Sequence, residues 1–562
     1  MASTLTALDY VVIAVYLVGI ATLGIWAGGS QETTDDYFLG GRALPWWAVC
    51  LSVVATETST LTVLSVPTVA YGGAMTFVQL ALGYLVGRTV VAFFFLPQYY
   101  RGNLSTAYAF LGERFGPSMQ ASASVTFLIT RLLADGVRLF ATAIPLKIIA
   151  GSAGFELSYL AIIAIIGGVT IIYTLIGGIR AVVWMDAVQM LLYLFGALFA
   201  VILLLGEVPA NWRQVASEAG KTQIINVELG GGLSAWLTSP YAFVTAVLGG
   251  AVFSMASHGT DQLVVQRLLA CRDLRDSQKA IIGSAVLVGV QLLLFLFIGV
   301  LLWVRYDGAT FAELGYATSD ELFPRFIVSG LPMGMSGLLL AGIVAAAMST
   351  LSSSLNALAS STMLDLYELL ASAEPFSERT VQDYRPRVQE APPAGMEGVA
   401  VNEYRPPSDL RRTGPTPKRA VFLSRVATLA WGLVFIAFAN LFKTTDNPVV
   451  ELGLSIASFT YGGLLGAFLL GLVSERARER DAIISFVVTI AVMALVIFGV
   501  WHGPAGWVFE PVEGLARALG LGGGGAEGYR QIGYPWYALM GSTLCVGLGS
   551  LLAMRHRRKR AA

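Results

Sequence analysis

Residues 55–60 read ATETST, in the middle of an otherwise apolar stretch, 44–70. About 20 mostly apolar residues suffice for a helix that spans a bilayer. Polar clusters inside such a helix are costly and mark function. Here the carboxylate of Glu57 stands among hydroxyls, so the run predicts a helix that unwinds mid-membrane and turns its carbonyls toward a cavity. The alternative is a continuous helix whose Ser and Thr hydroxyls bond back to their own carbonyls. A second interruption favours the break. The stretch 255–267, MASHGTDQLVVQR, closes another apolar run, where Ser257, His258, Gly259, Thr260, Asp261 and Gln262 interrupt it. It comes five spans after the first. Two broken helices at corresponding places in two five-span blocks predict an inverted repeat with a binding site near the membrane midplane.

Two further polar clusters lie inside apolar runs. In AAAMSTLSSSLNALASST (345–362), Ser349, Ser352, Ser353 and Asn356 follow helical spacing and Thr350 widens their face. Hydroxyl oxygens are hard ligands, suited to an alkali cation. The alternative is a set of small residues for close helix packing. In RLLADGVR (131–138), Arg131, Asp135 and Arg138 can meet on one helix face. Such a triad either pairs internally or serves an anionic group, including neutralisation of Glu57.

The composition agrees with a membrane protein. Of 562 residues, 56% are hydrophobic and 13% charged, against about 25% charged in soluble domains. The net charge of +0 gives no basic face for nucleic acid. Cys50, Cys271 and Cys545 lack disulfide or zinc spacing, and His258, His502 and His556 form no metal motif. No nucleophile–base pair or cofactor motif points to an enzyme. Thirteen stretches are candidate spans: 8–28, 44–70, 75–99, 120–149, 157–177, 181–205, 238–258, 277–304, 326–368, 420–442, 447–472, 481–501 and 534–554. With the N-terminus outside, about 24 Lys and Arg fall on the inner side and about 7 on the outer, a strong positive-inside bias. Arg267 is counted among the inner loop cations, and the tail RHRRKR (555–560) also falls inside. The segment 371–418 has a linker's composition and predicts disorder, and 519–525 reads as a flexible outer loop. The runs YFLGGRALPWW (37–47) and WHGPAGW (501–507) predict aromatic belts at the interfaces. The expected organisation is a leading span and inner loop, 1–43; a first five-helix repeat, 44–206; a second, 238–472, carrying the insert; and accessory helices with a basic tail, 473–562.

Four stretches carry a resemblance: DDYFLGGRALPWWAV (35–49), IGGIRAVVWMDAVQ (176–189), DQLVVQRLLACR (261–272) and AAAMSTLSSSLNALAS (345–360). In this order they resemble the solute:sodium symporters, which include sodium-coupled sugar, monocarboxylate, iodide and sialic acid carriers. The resemblance implies an all-α, leucine-transporter-like fold of five plus five helices and a sodium-coupled carrier; the expected location is a bacterial-type inner membrane. It implies a sodium site at Ala55, Thr58, Ala346, Ser349 and Thr350. A second site, found in part of the family, would fall on Asp186, Ser349, Ser352 and Ser353. The positions that grip hexose in sugar carriers become Thr62, Ala81, Ser254, Val288 and Leu454, which removes most of their hydrogen-bonding capacity. The expected solute is therefore a small organic anion or polar metabolite, held among Glu57, Thr62, Gln79, Ser254, His258 and Asp261. Two rival readings are a proton-coupled carrier, using Glu57, Asp135 or Asp261, and a solute-sensing receptor.

Overall fold

The computed structural model describes residues 6–58, 60–152, 155–227, 236–316, 319–332, 334–372, 416–440, 449–503, 506–510 and 530–557. The 519–525 loop, all but the ends of the 371–418 insert, and the side chain of Leu454 lie outside the described residues. The long helices are α1 (Ala7–Gly28), α2 (Trp46–Glu57), α3 (Thr60–Gly72), α4 (Met75–Arg101), α5 (Pro117–Ser152), α6 (Tyr159–Glu207), α7 (Gly250–Gly259) and α8 (Gln262–Leu269). They continue as α9 (Leu274–Arg305), α10 (Met335–Ser360), α11 (Pro417–Ala439), α12 (Val449–Val473), α13 (Glu479–Gly499) and α14 (Pro535–Met554). Among the described residues, 8 helices are long and apolar enough to cross a membrane, and the bent pair of α2 and α3 brings the number to 9. The stretches 157–177 and 181–205 fall in the single element α6, which leaves helical geometry at Gly178 (φ 56°, ψ −154°).

Both interruptions break their helices. α2 ends at Glu57, Thr58 is extended (φ −79°, ψ 92°), and the two halves of the pair are bent by 64°. α7 ends at Gly259, and Thr260 (φ −129°, ψ −7°) and Asp261 (φ −89°, ψ 123°) carry the chain into α8. Asp261 suits this place because a carboxylate can cap a helix start. It accepts the Leu263 N–H at 2.9 Å.

α10 is the central helix. Of its most apolar window, including its continuation to Leu370, 94% is buried, against 17% for α1. α10 packs on α6 and α5, α9 packs on α2 and α3, and α7 packs on α4. The contact of α3 with α9 forms one wall of the cavity described below, and it is very close. A Cβ at Gly299 would stand 2.0 Å from the Pro67 carbonyl oxygen. Gly299→Ala is therefore expected to push α3 outward at a cost of about 1–3 kcal/mol. The check is the thermal unfolding midpoint of the purified variant.

The chain is not entirely helical. β1 (Val500–Gly503) pairs antiparallel with β2 (Gly506–Phe509), and β3 (Arg530–Gln531) pairs with β1. The WHGPAGW run (501–507), expected as an interfacial belt, supplies part of β1 at one end and part of β2 at the other. Its Gly-Pro pair is a turn signal, and the antiparallel pairing buries Trp501 while leaving Trp507 exposed.

Candidate functional site

A cavity of about 370 Å³ lies between the two breaks. Glu57, Thr58, Thr62 and Ser65 reach it from the first broken helix, and His258, Asp261 and Val264 from the second. α5 contributes Arg131 and Arg138, and α9 contributes Val288, Gln291 and Leu292. Helix breaks suit such a place because the last turn of a helix leaves carbonyls without internal N–H partners.

Two charge networks reach the cavity, the first through Glu57 and His258 and the second through Arg131, Arg138 and Asp261. In the first, Arg88 of α4 pairs with Glu57 Oε2 and donates to Ser284 Oγ at 2.7 Å. His258 Nε2 lies 3.6 Å from the same carboxylate oxygen, and its Nδ1 meets Ser257 Oγ at 2.8 Å. In the second, Arg131 donates to Asp261 at 2.6 Å and to the Tyr461 hydroxyl. Asp135 takes Arg131 at 3.4 Å and Arg138 at 3.3 Å, and accepts from Ser354 at 2.5 Å. The RLLADGVR triad thus meets on one face. It does not neutralise Glu57, because Arg88 reaches that carboxylate and Arg131 is held by Asp261.

Deeper in the protein, Asp186 of α6 is fully buried. Its Oδ1 accepts from Ser349 at 2.6 Å, and its Oδ2 accepts from Ser52 at 2.6 Å and from Arg267 at 3.2 Å. Arg267 also donates to Ser52 at 2.9 Å, to the Leu263 carbonyl and to Ser353. Arg267 is therefore no loop cation. α8 carries it into a space bounded by α2, α6 and α10, where it has no exposed surface.

The sequence of the chain settles its family. The profile of the sodium:solute symporter family matches residues 37–385, more than half of the chain. The chain belongs to the sodium:solute symporter family. It is 28% identical to the human sodium/iodide cotransporter, over 92% of this chain and 72% of that one. It is 26% identical to the human sodium-coupled monocarboxylate transporter 1, over 91% of this chain and 76% of the relative. Its fold resembles that of a Na+-coupled sialic acid symporter in a substrate-bound outward-open state, with a TM-score of 0.74, 24% identity and 98% of both chains covered.

Within this symporter, the residues expected to hold sodium fall at the end of α2 and the middle of α10. Ala55 and Thr58 belong to the turn where α2 stops. The Thr350 hydroxyl bonds back to the Ala346 carbonyl at 3.1 Å, and Thr56 Oγ1 meets Ser353 Oγ at 3.2 Å, tying the two helices together. The donor set is chemically suited to a small hard cation: carbonyls of Ala55 and Thr58 at the end of α2, the mid-helix Ala346 carbonyl, and two buried hydroxyls. Of the second set, Asp186, Ser349 and Ser353 come together, while Ser352 donates to the Ser349 carbonyl at 3.1 Å.

Of the solute residues, Glu57, Thr62, His258 and Asp261 line the cavity, while Gln79 and Ser254 do not. The Gln79 amide donates to the Tyr241 carbonyl at 3.0 Å and accepts the Asn226 N–H at 3.1 Å, so it braces the wall behind. Ser254 faces α4, where a Cβ at Gly87 would meet it at 3.0 Å. Sequence reasoning missed Arg88, Ser52, Gln291 and Tyr461. A basic residue inside an apolar run is a signal in itself, and Arg88 carried it.

Proposed function

We propose that this symporter moves a small organic anion inward together with sodium, by alternating access. The observation that carries the reading is Arg138, which lines the cavity and holds only one ion pair among the described residues, the 3.3 Å contact to Asp135. A guanidinium presents donors in a planar fork that matches a carboxylate, and Arg138 keeps part of that fork for the cavity. Iodide, monocarboxylates and sialic acid, for which several relatives are named, are anions, while other relatives are named for multivitamin transport. The hydrophobic side chains Val66, Val288 and Leu292 also line the cavity, which suits a solute with an apolar body.

In this reading the two breaks belong to inverted five-helix repeats within a chain of thirteen spans, with the N-terminus outside and the C-terminus cytoplasmic. Sodium at Ala55, Thr58, Ala346, Ser349 and Thr350 ties the first broken helix to α10 and completes the cavity wall. The solute binds, the outer side closes, and the repeats rock to open inward. One charge crossing 100 mV is worth about 2.3 kcal/mol. Two sodium ions with a monovalent anion keep one net charge, so the potential alone supports roughly 50-fold accumulation.

Ser349 stands in both sodium sets, and its hydroxyl is held by Asp186 at 2.6 Å. Ser349→Ala is expected to raise the sodium concentration for half-maximal uptake by about ten-fold, the scale of one hydrogen bond or ligand. Uptake into proteoliposomes at varied sodium measures it. The reading as a whole is tested by the thermal stability of the purified protein in sodium, potassium and choline, and then in sodium with carboxylates, sugars and amino acids. A ligand that binds the folded state raises its apparent stability. A rise specific to sodium and enlarged by a carboxylate supports the proposal. Uptake at low pH in sodium-free buffer would instead favour proton coupling.

A further inference from the structure

Gln291 is buried in the cavity wall with half of its amide unused. It lies on α9 between Val288 and Leu292, which line the same cavity, and it is 1% exposed. Its Oε1 accepts the Thr58 hydroxyl at 2.9 Å. Its Nε2 has no hydrogen-bond partner among the described residues. The Ser65 hydroxyl, across the contact of α3 with α9, also lines the cavity and also lacks a partner. Buried polar groups are nearly always hydrogen-bonded, and an exception calls for an explanation. A leucine or methionine would fill the same volume without stranding a donor. Thr58 is the residue at which α2 loses helical geometry, and its carbonyl belongs to the proposed sodium set. One amide therefore touches the sodium-bearing turn with one end and the solute space with the other.

We propose that Gln291 reads the solute: its Nε2 donates to a carboxylate or carbonyl oxygen of the bound anion while its Oε1 holds Thr58. The Ser65 hydroxyl supplies a second donor from the opposite helix. A solute oxygen on Nε2 fixes the amide in the orientation that holds Thr58, and Thr58 held in place keeps the turn ordered for sodium. Each ligand then favours the conformation the other needs, and the coupling is reciprocal. The solute class follows. It presents an acceptor oxygen to Gln291 and Ser65 and lays an apolar body along Val66, Val288 and Leu292. An analogue whose carboxylate is replaced by a group with no acceptor leaves both donors stranded and is rejected. This inference rests on the anion-symport reading, and its test separates the two.

The test uses the purified full-length protein with sodium alone, then with sodium plus pyruvate, benzoate or N-acetylneuraminate. Gln291→Met keeps the volume, adds no charge and loses the N–H donors together with the acceptor for Thr58. Gln291→Ala loses both ends. In Gln291→Met, sodium alone is expected still to stabilise the protein, while affinity for the responding carboxylate falls by about ten-fold or more, the scale of a hydrogen bond to a charged group. In the wild type the carboxylate lowers the sodium midpoint, and in Gln291→Ala that lowering is expected to vanish. Carboxylate affinity within two-fold of wild type in both variants overturns the inference and leaves the anion reading standing. Parallel loss of the sodium and carboxylate responses in both variants also overturns it, since that is the mark of a structural role. A wild-type protein that answers to sodium but to none of the three carboxylates removes the anion reading and this inference together.

Discussion

Asp186→Asn is expected to be among the most damaging single substitutions in the chain. Asp186 and Arg267 are both fully buried, and one carboxylate balances one guanidinium, with Ser52 and Ser349 on the carboxylate and Ser353 on the guanidinium. Neutralising Asp186 leaves the guanidinium of Arg267 without a counter-charge, and breaking a buried pair from one side costs about 3–5 kcal/mol. Arg267→Met is expected to cost a similar amount. Replacing both members is a different case, because a buried ion pair exchanged for groups of similar volume is often close to neutral. The double variant Asp186→Asn with Arg267→Met should therefore recover most of the unfolding midpoint that either single variant loses. Thermal unfolding of the four proteins measures this coupling directly. The same double variant isolates sodium chemistry from folding. If Asp186 ligates a second sodium, the refolded double variant keeps a lowered Hill slope for sodium. A wild-type slope in that protein takes Asp186 out of the sodium account.

This pair also marks how far the sequence could be read. The two breaks were legible because polar residues in an apolar run have no reason to be there unless a cavity receives them. Glu57 and Asp261 stood out for that reason, and the structure brings both to the cavity. Arg267 carried the same charge but lay just ahead of Arg272, Arg275 and Lys279, and so read as one more loop cation. What buries it is α8 tucked among α2, α6 and α10, and its partners Asp186 and Ser353 are 81 and 86 residues away. No local period reports a contact at that separation. Arg88 escaped for a related reason. A single arginine in a span can snorkel to the interface, so only the tertiary fold discloses that it turns inward to Glu57. Gln291 was invisible because an amide in a helix carries no charge to flag it, and its meaning comes entirely from Thr58, 233 residues away. The pairing of 500–503 with 506–509 went unread because the tryptophans of that run drew attention ahead of its Gly-Pro signal. The hydroxyl face of α10 followed from helical spacing alone, but which of its hydroxyls meets Asp186 did not.

The Glu57–Arg88 pair is expected to respond asymmetrically. Arg88 has no exposed side-chain surface, whereas 23% of the Glu57 side chain faces the cavity. Glu57→Gln leaves a wholly buried guanidinium with no counter-charge, held by the Ser284 hydroxyl and by whatever the neutral amide oxygen still accepts, with Tyr84 as a ring contact at 5.7 Å. That variant is expected to lose about 3–5 kcal/mol, the cost of an uncompensated buried charge. Arg88→Met leaves a carboxylate that cavity water can still solvate and that His258 can approach from 3.6 Å. Its stability loss should be the smaller of the two, and thermal unfolding decides the order. Transport is expected to invert that order. With Arg88 gone, an unbalanced negative charge faces the solute, and like charges at close range oppose binding of an anion. Arg88→Met should therefore fold better yet lose about ten-fold or more in affinity for the responding carboxylate, a penalty that a neutral solute of the same shape would escape. Equal losses for the anion and its neutral analogue would mean that Arg88 shapes the cavity and does not set its charge.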